Sequence, residues 1–165
     1  MKHLFLDLEG TIINSWGNPA IIHAETIKKW IAKEDLPKSV RIFSFAVVNE
    51  KDIAHFLHQT TMKGAIEHHL GVHVYDVLSV ELIRHTIERD RSFRYDTTYE
   101  FMQFEGKAGA FIKFCCAMRT ILSDAHPTFI LLDDAVDHQT IIMHDRSMTI
   151  ELVPVQNLPD LIEDD

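Results

Sequence analysis

Apolar residues along this chain fall into two kinds of pattern. Short dense runs occupy residues 3–8 (HLFLDL), 41–48 (RIFSFAVV), 72–80 (VHVYDVLSV) and 128–134 (TFILLDD), and they read as strands buried on both faces. A last strand is expected at 148–155 (MTIELVPV), after the turn at His144 to Ser147. Between the runs, apolar positions recur at helical spacing: Ile22, Ile27, Trp30 and Ile31 after Pro19, with Pro37 closing the connection. Residues 49–59 open on Asn49 as an N-cap, with Asp52 three positions on in a capping arrangement. Residues 62–70 stop at Gly71, residues 81–90 form a further helix, and residues 107–124 form a well-buried one that His126-Pro127 ends.

Strands alternating with helices of this length predict an α/β fold: a doubly wound, mostly parallel sheet with helices on both faces. In such sheets ligands collect at the carboxyl ends of the strands. Three apolar runs here end in groups capable of chemistry, Asp7, Ser44 and Asp133. The chain of 165 residues is 46% apolar, enough for one closed core, so a single domain over 1–165 is expected. Residues 61–106 are the hardest to read and leave room for a small substrate-facing insertion. Within them the segment from Arg89 to Phe104 mixes aromatics with Arg91 and Arg94, which suits stacking on a base and holding a phosphate. The other reading of that segment is a loop packing its aromatics under the sheet edge.

A net charge of -9 repels polyanions, which argues against duplex nucleic acid as a partner. A small anionic ligand remains compatible, because a metal ion and a few aimed donors outweigh the global field locally. The adjacent Cys115 and Cys116 lie in a helical pattern and suit neither a disulfide framework nor a zinc pair. They read as core residues of a reducing compartment. The opening MKHLFLDLEG turns acidic too soon for a signal peptide or membrane span, so a cytoplasmic protein without a membrane partner is the expectation. Five of the eleven histidines fall between His55 and His73, on two different elements and with no cysteine beside them. They read as surface and helix-end residues rather than a zinc site.

The sharper signal is Asp7-Leu8-Glu9-Gly10-Thr11. A carboxylate at a strand end, followed two residues later by a second acid, offers a nucleophile and a proton donor to one substrate, and Gly10 lets the backbone turn toward it. Two acids facing a phosphate would repel it, so a divalent cation is required, and hard oxygen ligands select Mg2+. Asp133 and Asp134 are the natural further ligands, with Asp137 one helical turn past Asp133. The competing reading is that Asp134 and Asp137 cap a following helix.

With Ser44 in RIFSF and Lys107 in GKAGAFIKF, these motifs resemble the haloacid dehalogenase-like superfamily over about 130 residues of this chain. The signature of that family is an apolar strand with Asp-x-Asp-x-Thr/Val, a Ser or Thr after a second strand, a Lys, and an acidic motif after a fourth. Glu9 stands where most of its phosphatases carry Asp, and enolase-phosphatases of the same superfamily carry a similar Asp-x-Glu-Gly-Thr string. The resemblance implies that Asp7 forms an aspartyl-phosphate, that Glu9 protonates the leaving group and activates water, and that Ser44 and Lys107 hold the phosphoryl group. It further implies Mg2+ between Asp7, the backbone carbonyl of Glu9 and Asp133, with Asp134 and Asp137 completing or orienting the shell. Thr11, Ser44, Lys107, Arg91 and Arg94 are the expected substrate-binding residues. Lys113, a turn and a half inside the helix, is the alternative to Lys107.

The expected activity is Mg2+-dependent hydrolysis of a small phosphorylated metabolite or nucleotide. The alternative is a catalytically weak relative that binds and holds such a molecule. Any cap is small or absent, so the site is open or completed by another subunit of a homo-oligomer.

Overall fold

A computed structural model describes residues 1–90 and 106–163. Six strands form one sheet: β1 (Lys2–Leu6), β2 (Ser39–Phe43), β3 (His73–Leu78), β4 (Thr128–Asp133), β5 (Gln139–Met143) and β6 (Met148–Pro154). Their order is β3-β2-β1-β4-β6-β5, with every pairing parallel except β5 with β6. The helices are α1 (Ala24–Lys33), α2 (Glu50–Ala54), α3 (Met62–Leu70), α4 (Val80–Arg89), α5 (Gly106–Arg119) and α6 (Leu158–Glu163). A π-helical turn, His55–Gln59, continues α2.

The dense apolar runs are explained by burial on both faces of the sheet. Leu4 and Leu6 of β1 pack with Val40, Ile42, Ile130 and Leu132 on one face, beneath Ile27, Trp30 and Ile31 of α1 and Met62, Ile66 and Leu70 of α3. Phe5, pointing the other way, packs with Phe43, Phe129 and Leu131 beneath Ile83 and Ile87 of α4 and Phe111, Phe114 and Cys115 of α5. Edge-to-face contacts tie Phe5, Phe43 and Phe111 together, at ring separations of 5.1 Å for Phe5–Phe111 and Phe43–Phe111. Truncating a ring so enclosed costs about 3–5 kcal/mol, so this face is a rigid floor for the strand ends above it.

Local sequence rules set several boundaries. Asn49 caps α2, accepting from the backbone N–H groups of Lys51 and Asp52, while the Asp52 carboxylate accepts from Asn49 N–H, completing the capping box. Gly71 ends α3 in the left-handed conformation.

Two readings of the sequence change. Of residues 61–106, Met62–Leu70, His73–Leu78 and Val80–Arg89 are α3, β3 and α4 of the main sheet and its covering layers, not an insertion. Residues 91–105, which include Arg91 and Arg94, lie outside the described residues. Strand β5, which the reading of the sequence did not include, is a short edge strand with no fully buried residue, marked only by the brief run Ile141 to Met143. Among the described residues, no helix is long and apolar enough to cross a membrane.

Candidate functional site

The sheet order reverses beside β1: the chain moves outward through β2 and β3, then returns to place β4 on the other side of β1. The carboxyl ends of β1 and β4 therefore meet at the switch point where such sheets form their ligand crevice. Leu6 is level with both Ile42 and Leu132, so the residues that follow each strand share one edge. Asp7 and Asp133 emerge there, both buried.

Asp7 is fixed from both sides. Its backbone N–H still bonds to the Leu132 carbonyl at 3.0 Å, which extends the β1–β4 pairing one step beyond the strand. The chain then folds into a single tight turn in which the Leu8 carbonyl accepts from the N–H groups of Thr11, Ile12 and Ile13. Leu8, Ile12 and Ile13 are wholly buried, and their packing locks the turn onto the core. Within it the Thr11 hydroxyl donates to Asp7 Oδ2 at 3.0 Å. Gly10 takes a φ of +78°, and a Cβ built there would collide with the Asp134 carboxylate, whose Cγ would lie 2.7 Å away. The glycine thus serves both the turn and the close approach of Asp134.

Lys107, at the start of α5, donates to Asp7 Oδ1 and places its ammonium 2.7 Å from Asp133 Oδ2. The rings of Phe43 and Phe45 lie 5.9 and 5.7 Å from that ammonium and shield it from water, which strengthens its charge contacts. Of the two lysines of α5, Lys107 rather than Lys113 has its ammonium at the Asp7 and Asp133 carboxylates. Asp133 Oδ1 accepts the Ala135 N–H at 2.8 Å. Its Oδ2 is buried and, despite the nearby ammonium, receives no directed hydrogen bond among the described residues, so the contact with Lys107 is one of charge.

The carboxylates of Asp7, Asp133 and Asp134 each offer an oxygen within 4.8 Å of the other two. Three carboxylates stand beside one ammonium, and among the described residues Asp133 Oδ2 has no directed donor. A hard divalent cation fits this donor set: oxygen ligands only, an excess of negative charge, and a buried oxygen in need of a partner. Burial pushes the Asp7 carboxyl up from 3.8 to about 6; the charge of Asp133 adds to this, while Lys107 and the Thr11 hydroxyl oppose it.

The remaining sequence candidates stand outside the group of three carboxylates. Ser44 is buried just past β2, and its hydroxyl accepts the Ala46 N–H at 3.2 Å. Glu9 is exposed and outside the carboxylate group; its Oε2 accepts the backbone N–H of Trp16 at 2.9 Å. Asp137 is likewise exposed and outside the group. The chain bends after Asp133 instead of entering a helix, so the spacing that placed Asp137 one turn on does not apply, and neither does helix capping by Asp134 and Asp137. The structure adds Phe45 and Gln156, whose side-chain amide donates to the Asp134 carbonyl at 3.2 Å. Nothing in their local sequence marked them.

The clustered histidines do not join a metal-capable group among the described residues; His73 bonds to Glu67, and His55 to Gln59. Cys115 and Cys116 are buried, as expected of core thiols, and burial pushes both up from their ordinary range. Comparison with models of known protein families, with curated proteins and with solved structures returns no match for this chain.

Proposed function

We propose that this chain is a Mg2+-dependent phosphomonoester hydrolase of the haloacid dehalogenase type, acting on a small phosphorylated metabolite or nucleotide. The observation that carries the reading is the convergence of Asp7, Asp133, Asp134 and Lys107 at the carboxyl ends of β1 and β4. A purely structural role explains it poorly, because burying the Asp7 and Asp133 carboxyl groups around one ammonium, with the exposed Asp134 carboxylate beside them, is costly unless a cation or substrate uses them.

The Asp7 carboxylate attacks phosphorus, forming an aspartyl-phosphate as the bond to the leaving oxygen breaks. Glu9 gives its proton to that oxygen, then takes one from water, which attacks phosphorus and releases inorganic phosphate with Asp7 restored. Lys107 balances charge on Asp7 and on the transferring oxygens, and the Thr11 hydroxyl keeps the Asp7 carboxylate oriented. Mg2+, held by Asp7, Asp133 and Asp134, would supply Lewis acidity and offset the negative charge that otherwise repels a phosphate.

A second reading, a protein that binds a phosphorylated small molecule without hydrolysing it, is favoured by the position of Glu9, tied to the Trp16 N–H and outside the carboxylate group. One experiment separates the two. A panel of phosphate monoesters is assayed for phosphate release with Mg2+, with EDTA, and with Asp7→Asn, alongside binding of the same compounds. Hydrolysis lost in EDTA and reduced by orders of magnitude in Asp7→Asn supports the enzyme. Tight binding without release supports the binder, and release indifferent to both treatments refutes the site.

A further inference from the structure

We infer that Trp16 is a positioning residue for Glu9, holding the proposed acid/base in place by docking a polar hairpin loop onto the π-helical turn; this rests on the hydrolase reading above. Glu9 is exposed and carries a long, flexible side chain, yet proton transfer is sensitive to about 1 Å of misplacement. Among the described residues, its carboxylate has one hydrogen-bond partner, the backbone N–H of Trp16 at 2.9 Å. That bond holds Oε2 and leaves Oε1 available for proton transfer.

The Trp16 N–H is held by what its side chain touches. The loop between Ile13 and Ile21, which pair as a short bridge, is polar and keeps its shape through local bonds: Asn14 Oδ1 accepts from the N–H groups of Ser15 and Ala20, and Ser15 Oγ from that of Asn18. None of these ties the loop to the body of the protein. The Trp16 indole does, stacking on Phe56 at 6.4 Å and 10° and leaning on His55 at 5.9 Å. Phe56 is fully buried. Both partners lie in the π-helical turn, a rare deviation that is frequent at functional sites. The chain of positioning thus runs from the core through Phe56 and Trp16 to the Glu9 carboxylate.

A residue that merely fills space would affect all substrates alike, whereas one that positions an acid matters most when the leaving group needs a proton. The test compares kcat/KM, which reports transfer to Asp7, for p-nitrophenyl phosphate and for a simple alkyl phosphate. Trp16→Ala should lose roughly tenfold to a hundredfold on the alkyl ester and little on the aryl ester, while Trp16→Phe, which keeps the stack, should restore both. In a Glu9→Gln background, Trp16→Ala should cost nothing further on the alkyl ester. Equal losses on the two esters, no loss at all, or independent losses in the double variant overturn the inference; Trp16→Leu gives the same readout if the alanine variant does not fold. Wild-type protein that hydrolyses neither ester, or Glu9→Gln that leaves the alkyl-to-aryl ratio unchanged, identifies the reading of the site or of Glu9 as the failing step.

Discussion

Replacing Asp7 by Asn should make the metal-free protein more stable at pH 8. Burial raises the Asp7 carboxyl from 3.8 to about 6, so at neutral pH the folded protein holds a carboxylate that its surroundings disfavour. With its folded value raised, the group's favourable contribution is complete below about pH 4 and lost as pH rises toward and through about 6, because the folded state binds more protons than the unfolded state across that window. About two units at 1.36 kcal/mol each give about 3 kcal/mol at pH 8. The side chain is only 8% exposed, so solvent screening does little to reduce this. Asparagine keeps an oxygen for the Thr11 hydroxyl, and Lys107 keeps Asp133, so the substitution strands neither partner. Relaxation around the charge lowers the expected gain to about 1–3 kcal/mol, which for a chain of this size is an increase in Tm of roughly 3–10 °C. The assay is thermal or urea unfolding of both proteins in EDTA at pH 4 and at pH 8. The two should nearly coincide at pH 4 and separate at pH 8, with Mg2+ closing the gap by stabilising the wild type more. An Asn variant less stable at pH 8, or a difference independent of pH, would refute the electrostatic account of this site.

Two further substitutions probe the same cluster. Lys107→Met leaves the Asp7 and Asp133 carboxylates facing one another without a cation and should cost about 3 kcal/mol in EDTA; much of that should return with Mg2+ in urea denaturation, and an equal loss with and without Mg2+ would dismiss the cation site. Gly10→Ala forces an L side chain into a positive φ and displaces the Asp134 carboxylate, so the Mg2+ concentration for half-maximal stabilisation should rise roughly tenfold, at a backbone cost of about 1–2 kcal/mol; unchanged Mg2+ dependence would remove Asp134 from the ligand set.

What the sequence determined by itself is what burial and local backbone rules encode. Runs such as HLFLDL and TFILLDD are apolar on both faces because β1 and β4 are covered on both sides, and this marked them as central parallel strands and their terminal acids as anomalies. Asn49 and Gly71 announced helix ends because capping is a local matter of a few residues. The tertiary structure alone decided which acids meet. The sequence offered Asp137, one helical turn past Asp133, as a further ligand beside Asp134, but the bend after β4 leaves Asp134 and not Asp137 in the group with Asp7 and Asp133. Which lysine of α5 meets the strand-end carboxylates likewise depended on how α5 approaches them. Strand β5 was missed because, as a five-residue edge strand with no fully buried position, it carries only the short apolar run Ile141 to Met143. Trp16 carried none as a positioning group because its partners, His55 and Phe56, are some forty residues away. Periodicity records whether a residue is buried, whereas a site depends on which loops face one another, and that is set by strand order and packing across the whole chain.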